Sequence, residues 1–178
     1  MDKYLYLIII YTINKYIALY GQYENINEKP LYDIFHNYLQ LIDNKYVYIL
    51  PIVILIYFNI RWYGSDILTS FLQIATILLL IKLITSNITT VPPTLEIYKY
   101  YGKDYMFSEH IALLTLITTL TFINSQYNIE KYSLLIFTVI EAYLLVASRI
   151  HYSVDIYIGT LLTFLLTIFI NNIPIHII

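Results

Sequence analysis

The chain has 178 residues, of which 59% are hydrophobic and 12% charged, with a formal net charge of -2 and no cysteine. Soluble domains carry roughly a quarter charged residues, so this composition excludes an ordinary soluble domain and indicates a membrane protein. The near-neutral charge, without a basic run, argues against nucleic acid as a partner. The absence of cysteine excludes disulfides and thiolate metal sites. One helix needs about 20 residues to cross a bilayer, so this length accommodates about five or six spans.

Apolar runs bounded by polar residues predict six transmembrane helices in chain order. Lys15 interrupts the first run, which leaves an interfacial helix or an uncleaved signal anchor as alternatives for it. No internal repeat or linker divides the chain, so we predict an all-α fold, a polytopic membrane helical bundle formed by residues 1–178 as a single transmembrane domain. The predicted spans are Tyr4–Tyr20, Tyr46–Trp62, Ile67–Ser86, Phe107–Asn124, Tyr132–Ala147 and Tyr152–Ile170.

Six spans place both ends of the chain on one side of the membrane. The Asn87–Met106 loop and the junction at Arg149–His151 then share the other side. This topology predicts that His110, His151 and Asp155 lie at one membrane face. Basic residues are more frequent on that side, and the positive-inside rule taken literally places it in the cytosol.

Ionisable side chains inside a membrane are costly and are therefore either functional or paired. His151 and Asp155 are four residues apart, a spacing that brings two side chains together on one face of a helix. Asp155 can hold one imidazole nitrogen and leave the other free as a base or nucleophile. A structural polar pair at the start of a helix is the alternative on this spacing alone. Two histidines and a carboxylate could also hold a cation, although the spacing matches no familiar zinc signature.

Cationic side chains close to these residues could hold phosphate. The planar fork of Arg149 suits two phosphate oxygens, and Lys82 lies near the end of the third predicted span. For Lys99 and Lys103, snorkelling to lipid head groups is the alternative. Glu141, midway along the fifth span, could pair with Lys82 or Lys15.

Four short stretches of the sequence resemble motifs of a known family, and they occur in the same order along the chain. They are "KPLYDI", "KLITSNITTVPP", "KDYMFSEHI" and "ASRIHYSVDIYIG". With them the sequence resembles the sphingomyelin synthase and inositol phosphorylceramide synthase family, within the lipid phosphate phosphatase (phosphatidic acid phosphatase type 2) superfamily. Lys82 stands where the family has Arg. The matching positions are Pro30, Leu31 and Asp33; Lys82, Thr85, Thr89 and Pro92; Asp104, Phe107, Ser108 and His110; and His151, Tyr152, Ser153 and Asp155.

The resemblance implies an enzyme, a phosphotransferase that moves the head group of a phospholipid onto ceramide or diacylglycerol through a phosphohistidine. His151 would be the nucleophile, Asp155 would orient it, and His110 would protonate the departing lipid alkoxide. No cofactor or metal is implied. Family members mostly act on the lumenal face of the secretory pathway, and we prefer that orientation because site cations inflate the charge count. Substrate contacts are assigned to Lys82, Arg149, Ser108, Asp104 and Tyr152.

Three positions depart from the family pattern. Glu109 replaces the glycine before His110, Ile111 replaces the following threonine, and Lys103 stands where glycine is usual. A carboxylate beside a phosphate predicts weaker donor binding. The alternatives are that Glu109 keeps His110 protonated as a general acid, or that it turns toward Lys103 or solvent. Three functions therefore stay open: the head-group transferase, a lipid phosphate phosphatase that uses water as acceptor, and a lipid-binding relative without turnover.

Overall fold

The computed structural model describes residues 8–13, 16, 31–88, 94 and 107–171. These residues include helices and no strand, which confirms the all-α prediction. Residues 8–13 and 16 are also helical. The helices are α1 (Ile34–Tyr38), a 3-10 helix (Asn44–Val47), α2 (Ile49–Arg61), α3 (Asp66–Ile88), α4 (Glu109–Asn124), α5 (Asn128–Ala147) and α6 (Ser153–Ile170).

The second predicted span, Tyr46–Trp62, is wrong as one continuous helix. The chain forms the 3-10 helix first, and α2 begins only at Ile49. Pro51 explains the position of this start, because proline is tolerated in the first turn, where backbone N–H groups have no intrahelical acceptor. The first predicted span, Tyr4–Tyr20, lies mostly outside the described residues.

The start of α5 differs from the prediction for a different reason. The span was predicted from Tyr132, but the helix begins at Asn128 and includes Glu130. The Glu130 carboxylate accepts hydrogen bonds from the Ser125 hydroxyl and from Arg61 Nε. An acidic residue in the first turn also interacts favourably with the helix dipole. A polar stretch that resembles a loop in the sequence therefore continues the helix.

The surface of the bundle is that of an integral membrane protein. Asp66–Thr85 and Ser153–Ile170 are long and apolar enough to cross a membrane, and Ile49–Arg61 and Glu109–Asn124 are apolar but shorter. Contiguous exposed apolar surface is costly in water and expected in lipid. Large apolar side chains are exposed along the outer helices, among them Ile60, Ile136, Val139, Leu165 and Phe169.

Helix α4 lies at the centre of the bundle and packs against α2, α3, α5 and α6. Gly159 on α6 explains how closely α6 approaches the start of α4. A Cβ atom at this position would lie 2.9 Å from Ile111 Cγ2 and 3.2 Å from the Ser108 carbonyl oxygen. The Thr118 and Thr138 hydroxyls, 2.8 Å apart, join α4 to α5. Small residues and interhelical hydroxyl bonds are the usual means of helix association in lipid, where burial of apolar surface contributes little.

This packing gives the bundle two distinct ends. The start of α4, the end of α5 and the start of α6 meet at one end, which we call the His151 end. At the opposite end, Arg61 at the end of α2 contacts Glu130 near the start of α5, with 2.9 Å between Arg61 Nε and Glu130 Oε1. We call this the Glu130 end. The placement agrees with the predicted topology, in which Arg61 lies opposite the histidines.

Candidate functional site

A tight turn between α5 and α6 positions His151. After Ala147 the chain turns at Ser148 and Arg149, and Arg149 adopts a φ of 60°. This left-handed conformation is common just after a helix, where glycine usually supplies it. The Thr94 hydroxyl donates a hydrogen bond to the Arg149 carbonyl oxygen. The turn places His151 directly before the first turn of α6.

Asp155 holds the His151 ring from the first turn of α6. Its Oδ2 atom lies 3.4 Å from His151 Nδ1 and also accepts a hydrogen bond from the Tyr152 backbone N–H at 3.1 Å. The two residues therefore lie together as their spacing predicts. The expected shared helix face is wrong, however, because α6 begins at Ser153 and the carboxylate folds back over the helix start. A neutral His151 ring that carries its proton on Nδ1, toward the carboxylate, has its lone pair on Nε2.

The segment before α1 covers the backbone of this turn. The Ser153 N–H donates to Asp33 Oδ2 at 2.5 Å, and the Leu31 N–H donates to the Tyr152 hydroxyl at 3.0 Å. Asp33 also caps α1, since its Oδ1 atom accepts from the Phe35 N–H. Asp33 belongs to the first of the four resembling stretches, and here its side chain joins α1 to α6. The Tyr152 hydroxyl, predicted as a substrate contact, holds the Leu31 backbone.

His36 is a site residue that the sequence analysis missed. Its Nε2 atom lies 3.2 Å from the His151 carbonyl oxygen, and its ring stacks on Tyr152 with 5.7 Å between centroids. A carbonyl oxygen only accepts, so Nε2 of His36 is protonated and donates. The sequence did contain one indication of this role. His36 follows Asp33 by three residues, a spacing that places both side chains on the same face of a short helix.

The protonation states of Asp33 and His36, in the segment that covers the turn, follow from burial, hydrogen bonds and neighbouring charges. Burial alone would raise the pKa of Asp33, but the hydrogen bonds from Ser153 and the nearby His36 lower it below its usual value. Burial lowers the pKa of His36, and Arg149 lowers it further, against the opposing effect of Asp33. Asp33 is therefore ionised and His36 neutral at neutral pH.

Arg149 contacts backbone carbonyl groups of the α1 segment. Its Nη2 atom donates to the carbonyl oxygen of His36 and to that of Leu39, the latter at 3.4 Å. Cations near the end of a helix interact favourably with its unsatisfied carbonyl groups. The Arg149 guanidinium, predicted from the sequence to bind phosphate, therefore joins α1 to the α5–α6 turn in this structure.

His110 lies in the first turn of α4 and faces α5. Its Nδ1 atom is 3.8 Å from Glu141 Oε1, and the Tyr48 ring meets its ring edge-on, with 5.5 Å between centroids. Glu141 is fully buried, whereas the His110 side chain is 22% exposed. The sequence singled out Glu141 but suggested Lys82 or Lys15 as its partner. The structure brings it to His110, and Lys15 lies outside the described residues.

Lys82 and Glu109 lie on another side of the α4 start. Lys82 is 2% exposed, and its Nζ atom donates to the Phe107 carbonyl oxygen at 2.5 Å. Lys82 and Glu109 line the same cavity of about 10 Å³. Neighbouring residues of a helix point in directions about 100° apart, so Glu109 faces α3 while His110 faces α5. The alternative that Glu109 turns toward solvent is wrong, because Glu109 is buried and lines this cavity with Lys82. Lys103 lies outside the described residues.

The start of α4 is joined directly to the start of α6. The Ser108 N–H donates to the Asp155 carbonyl oxygen at 3.4 Å, and Ser108 is fully buried. Ser108, His110, Arg149, Tyr152 and Asp155 therefore lie at the His151 end, as the topology predicts. Asp104 lies outside the described residues. Within the described ranges, no group of three or more acidic or histidine side chains is arranged to hold a metal ion.

These features define a membrane helical bundle with a histidine–carboxylate pair at the start of its last helix. Residues 103–173 match the family model described as PAP2 superfamily C-terminal, and the match includes His110, His151 and Asp155. It covers less than half of the chain and supports membership in the PAP2 superfamily, whose members are usually lipid phosphatases or phosphotransferases. A search of curated proteins gave no match. The family match supports an enzyme that acts on lipid phosphates in a membrane.

Proposed function

We propose that this chain transfers the phosphoryl head group of a phospholipid to ceramide through a phosphohistidine at His151. The observation that carries the proposal is the contact between His151 Nδ1 and Asp155, which leaves Nε2 as the reactive nitrogen. The PAP2 match supports lipid phosphate chemistry, and the resemblance of the four stretches supports the choice of ceramide as acceptor.

In the first step, His151 Nε2 attacks the phosphorus atom and a P–N bond forms. The bond from phosphorus to the diacylglycerol oxygen breaks, and His110 donates a proton to that oxygen. Asp155 stabilises the positive charge that develops on the His151 ring, as the carboxylate of a catalytic triad does.

In the second step, the primary hydroxyl of ceramide attacks the phosphorus atom. Neutral His110 takes the hydroxyl proton, the P–N bond breaks, and His151 is regenerated with the proton of its Nδ1 atom unchanged. Both α4 and α6 begin at the His151 end, so the positive ends of their dipoles favour the negative phosphate there. Lys82 and Arg149 add positive charge at the same end.

The lipid partners follow from this reaction. The donor is a membrane phospholipid, and the acceptor hydroxyl belongs to ceramide or, as a close analogue, to diacylglycerol. By the family resemblance, we place the His151 end on the lumenal face of a secretory-pathway membrane.

The test is a product analysis in membranes that contain the protein. Labelled ceramide is supplied with phosphatidylcholine, phosphatidylethanolamine and phosphatidylinositol, and the new labelled lipid is identified. A ceramide carrying a phosphoryl head group supports the proposal, provided that His151→Ala membranes do not produce it. Release of phosphate or of a phosphorylated head group into water, without labelled product, would identify a phosphatase. Saturable lipid binding without any turnover would identify a lipid-binding relative.

A further inference from the structure

Glu141 is a buried carboxylate to which the reaction above assigns no role. It lies on α5, two turns before the end of the helix, and has no exposed surface. Among the described residues, neither of its carboxylate oxygens accepts a hydrogen bond. The ionisable group within ion-pair distance is His110, whose Nδ1 atom lies 3.8 Å from Glu141 Oε1. Burying a carboxylate is costly unless a charge or hydrogen bonds compensate it, so this position needs a cause other than packing.

Helix association does not require Glu141. Thr138, three residues earlier, already joins α5 to α4 through the 2.8 Å contact of its hydroxyl with that of Thr118. The Thr138 hydroxyl is satisfied by the Leu134 carbonyl oxygen as well. An apolar residue at position 141 would fill the same space, and such replacements of buried charged groups are often neutral or stabilising. The carboxylate is thus a feature that stability alone does not explain.

The environment of His110 makes Glu141 its acidic neighbour on the α5 side. Tyr48, just before α2, makes an edge-to-face ring contact with His110. Glu109 is on the same helix but lines the cavity beside Lys82 of α3. The Glu141 carboxylate is fully buried, whereas the His110 side chain next to it is 22% exposed.

We propose that Glu141 is a positioning residue for His110. Its carboxylate holds the Nδ1 side of the ring and stabilises the imidazolium, which leaves the Nε2 proton for the departing lipid alkoxide. As the P–O bond breaks, that proton moves from Nε2 to the alkoxide oxygen. It is replaced in the second step by the proton of the acceptor hydroxyl. This inference rests on the proposed function, because it assigns a role within the same reaction.

The site would then contain two imidazole–carboxylate pairs with different tasks. His151 and Asp155 form the nucleophilic pair at the start of α6, and His110 and Glu141 form the acid pair between α4 and α5. Attraction between opposite charges increases when His110 is protonated, so the 3.8 Å separation is expected to shorten in that state.

The first experiment compares Glu141→Gln and Glu141→Leu with Glu130→Gln, a matched change on the same helix at the opposite end of the bundle. We expect both changes at position 141 to lower kcat at neutral pH by about 100-fold with little change in KM, as for loss of a general acid. The basic limb of the pH–rate profile should move to lower pH, and Glu141→Asp should recover part of the rate. The thermal midpoint of Glu141→Leu should equal or exceed that of the unaltered protein, and Glu130→Gln should change neither profile nor rate.

The second experiment observes the His110 ring without any turnover. In protein carrying ¹⁵N-labelled histidine, the His110 signals are assigned by their loss in His110→Gln. Glu141→Gln should change the Nδ1 and Nε2 shifts of His110, and Glu130→Gln should leave them unchanged. A protein inactive on every lipid would overturn the proposed function, yet this pairing would still be measurable.

Two results would overturn the inference itself. One is a Glu141→Gln variant with unaltered turnover and pH profile in an active protein. The other is a set of His110 signals that does not change in Glu141→Gln, whatever the activity of this variant. A loss of rate together with lower thermal stability would in that case be a purely structural effect.

Discussion

The two ends of the bundle differ in how deeply their charged residues are buried. At the His151 end, Lys82, Glu109, Glu141, His151 and Asp155 are all buried. At the Glu130 end, Arg61 and Glu130 form an ion pair whose side chains are 33% and 16% exposed. Burying ionisable groups costs free energy, and of these two groups of described residues only the one at the His151 end is buried. The difference supports the proposal that the reaction takes place at the His151 end.

The comparison predicts the largest effects for changes in the nucleophilic pair. His151→Ala should abolish turnover, and Asp155→Asn should lower kcat by about 10³- to 10⁴-fold, as the equivalent change does in a catalytic triad. Asp155→Asn keeps an oxygen that can accept from the Tyr152 N–H, so α6 should still begin at the same residue. Turnover is measured with labelled lipid, and thermal unfolding serves as the control for folding. A His151→Ala variant that turns over lipid at the normal rate would refute the assignment.

A change at Glu109 should mainly affect stability. Glu109→Gly removes a carboxylate that lines the same cavity as the buried Lys82, so the lysine loses a nearby opposite charge and the fold should lose stability, by at most about 3–5 kcal/mol. The double variant Glu109→Gly with Lys82→Met should recover much of the loss, because it removes the remaining buried charge as well. Thermal unfolding in detergent measures both. If Glu109→Gly instead lowered KM at unchanged stability, Glu109 would be facing the substrate.

The α1 segment should detach from the site as the pH falls. The pKa of His36 is lowered by burial in the folded protein, so His36 contributes stability above its usual pKa of about 6.5 that is lost as the pH falls through its lower folded value. Asp33, whose folded pKa is also lowered, loses its contribution only at a more acidic pH, below about 3.9.

Hydrogen exchange of residues 31–39 measures this detachment. Protection from exchange, taken relative to the intrinsic exchange rate at each pH, should fall below about pH 6.5. His36→Gln, which keeps a donor for the His151 carbonyl oxygen, should remove that pH dependence. Equal protection of these amides at pH 5 and pH 8 in the unaltered protein would contradict this account of His36.

The smallest effects are expected at the Glu130 end. Arg61→Gln and Glu130→Gln break a partly exposed pair at the opposite end of the bundle from His151, so neither should change turnover by more than about twofold. Their rates are measured in the same lipid assay. A loss of activity comparable to that of Asp155→Asn would remove the distinction between the two ends.

The sequence predicts the fold class, four of the helices and the meeting of the histidines at one end. These follow from apolar periodicity and span counting, which need no knowledge of side-chain contacts. The direction of Glu109 and the partner of Glu141 depend on helix rotation and packing, which local sequence does not encode. Arg149 donates to a carbonyl oxygen of α1 that is more than 100 residues away in the sequence, a contact that no local pattern indicates. The 3-10 helix before α2 depends on Pro51.

The most direct test of the account is to trap the covalent intermediate. Protein is mixed with phospholipid labelled in its phosphate, without ceramide, then quenched under alkaline conditions and mapped by peptide mass spectrometry. The account predicts an acid-labile phosphoryl group on the peptide that contains His151, lost on addition of ceramide and absent from His151→Ala. Product formation by an enzyme that never carries this group on His151 would contradict it.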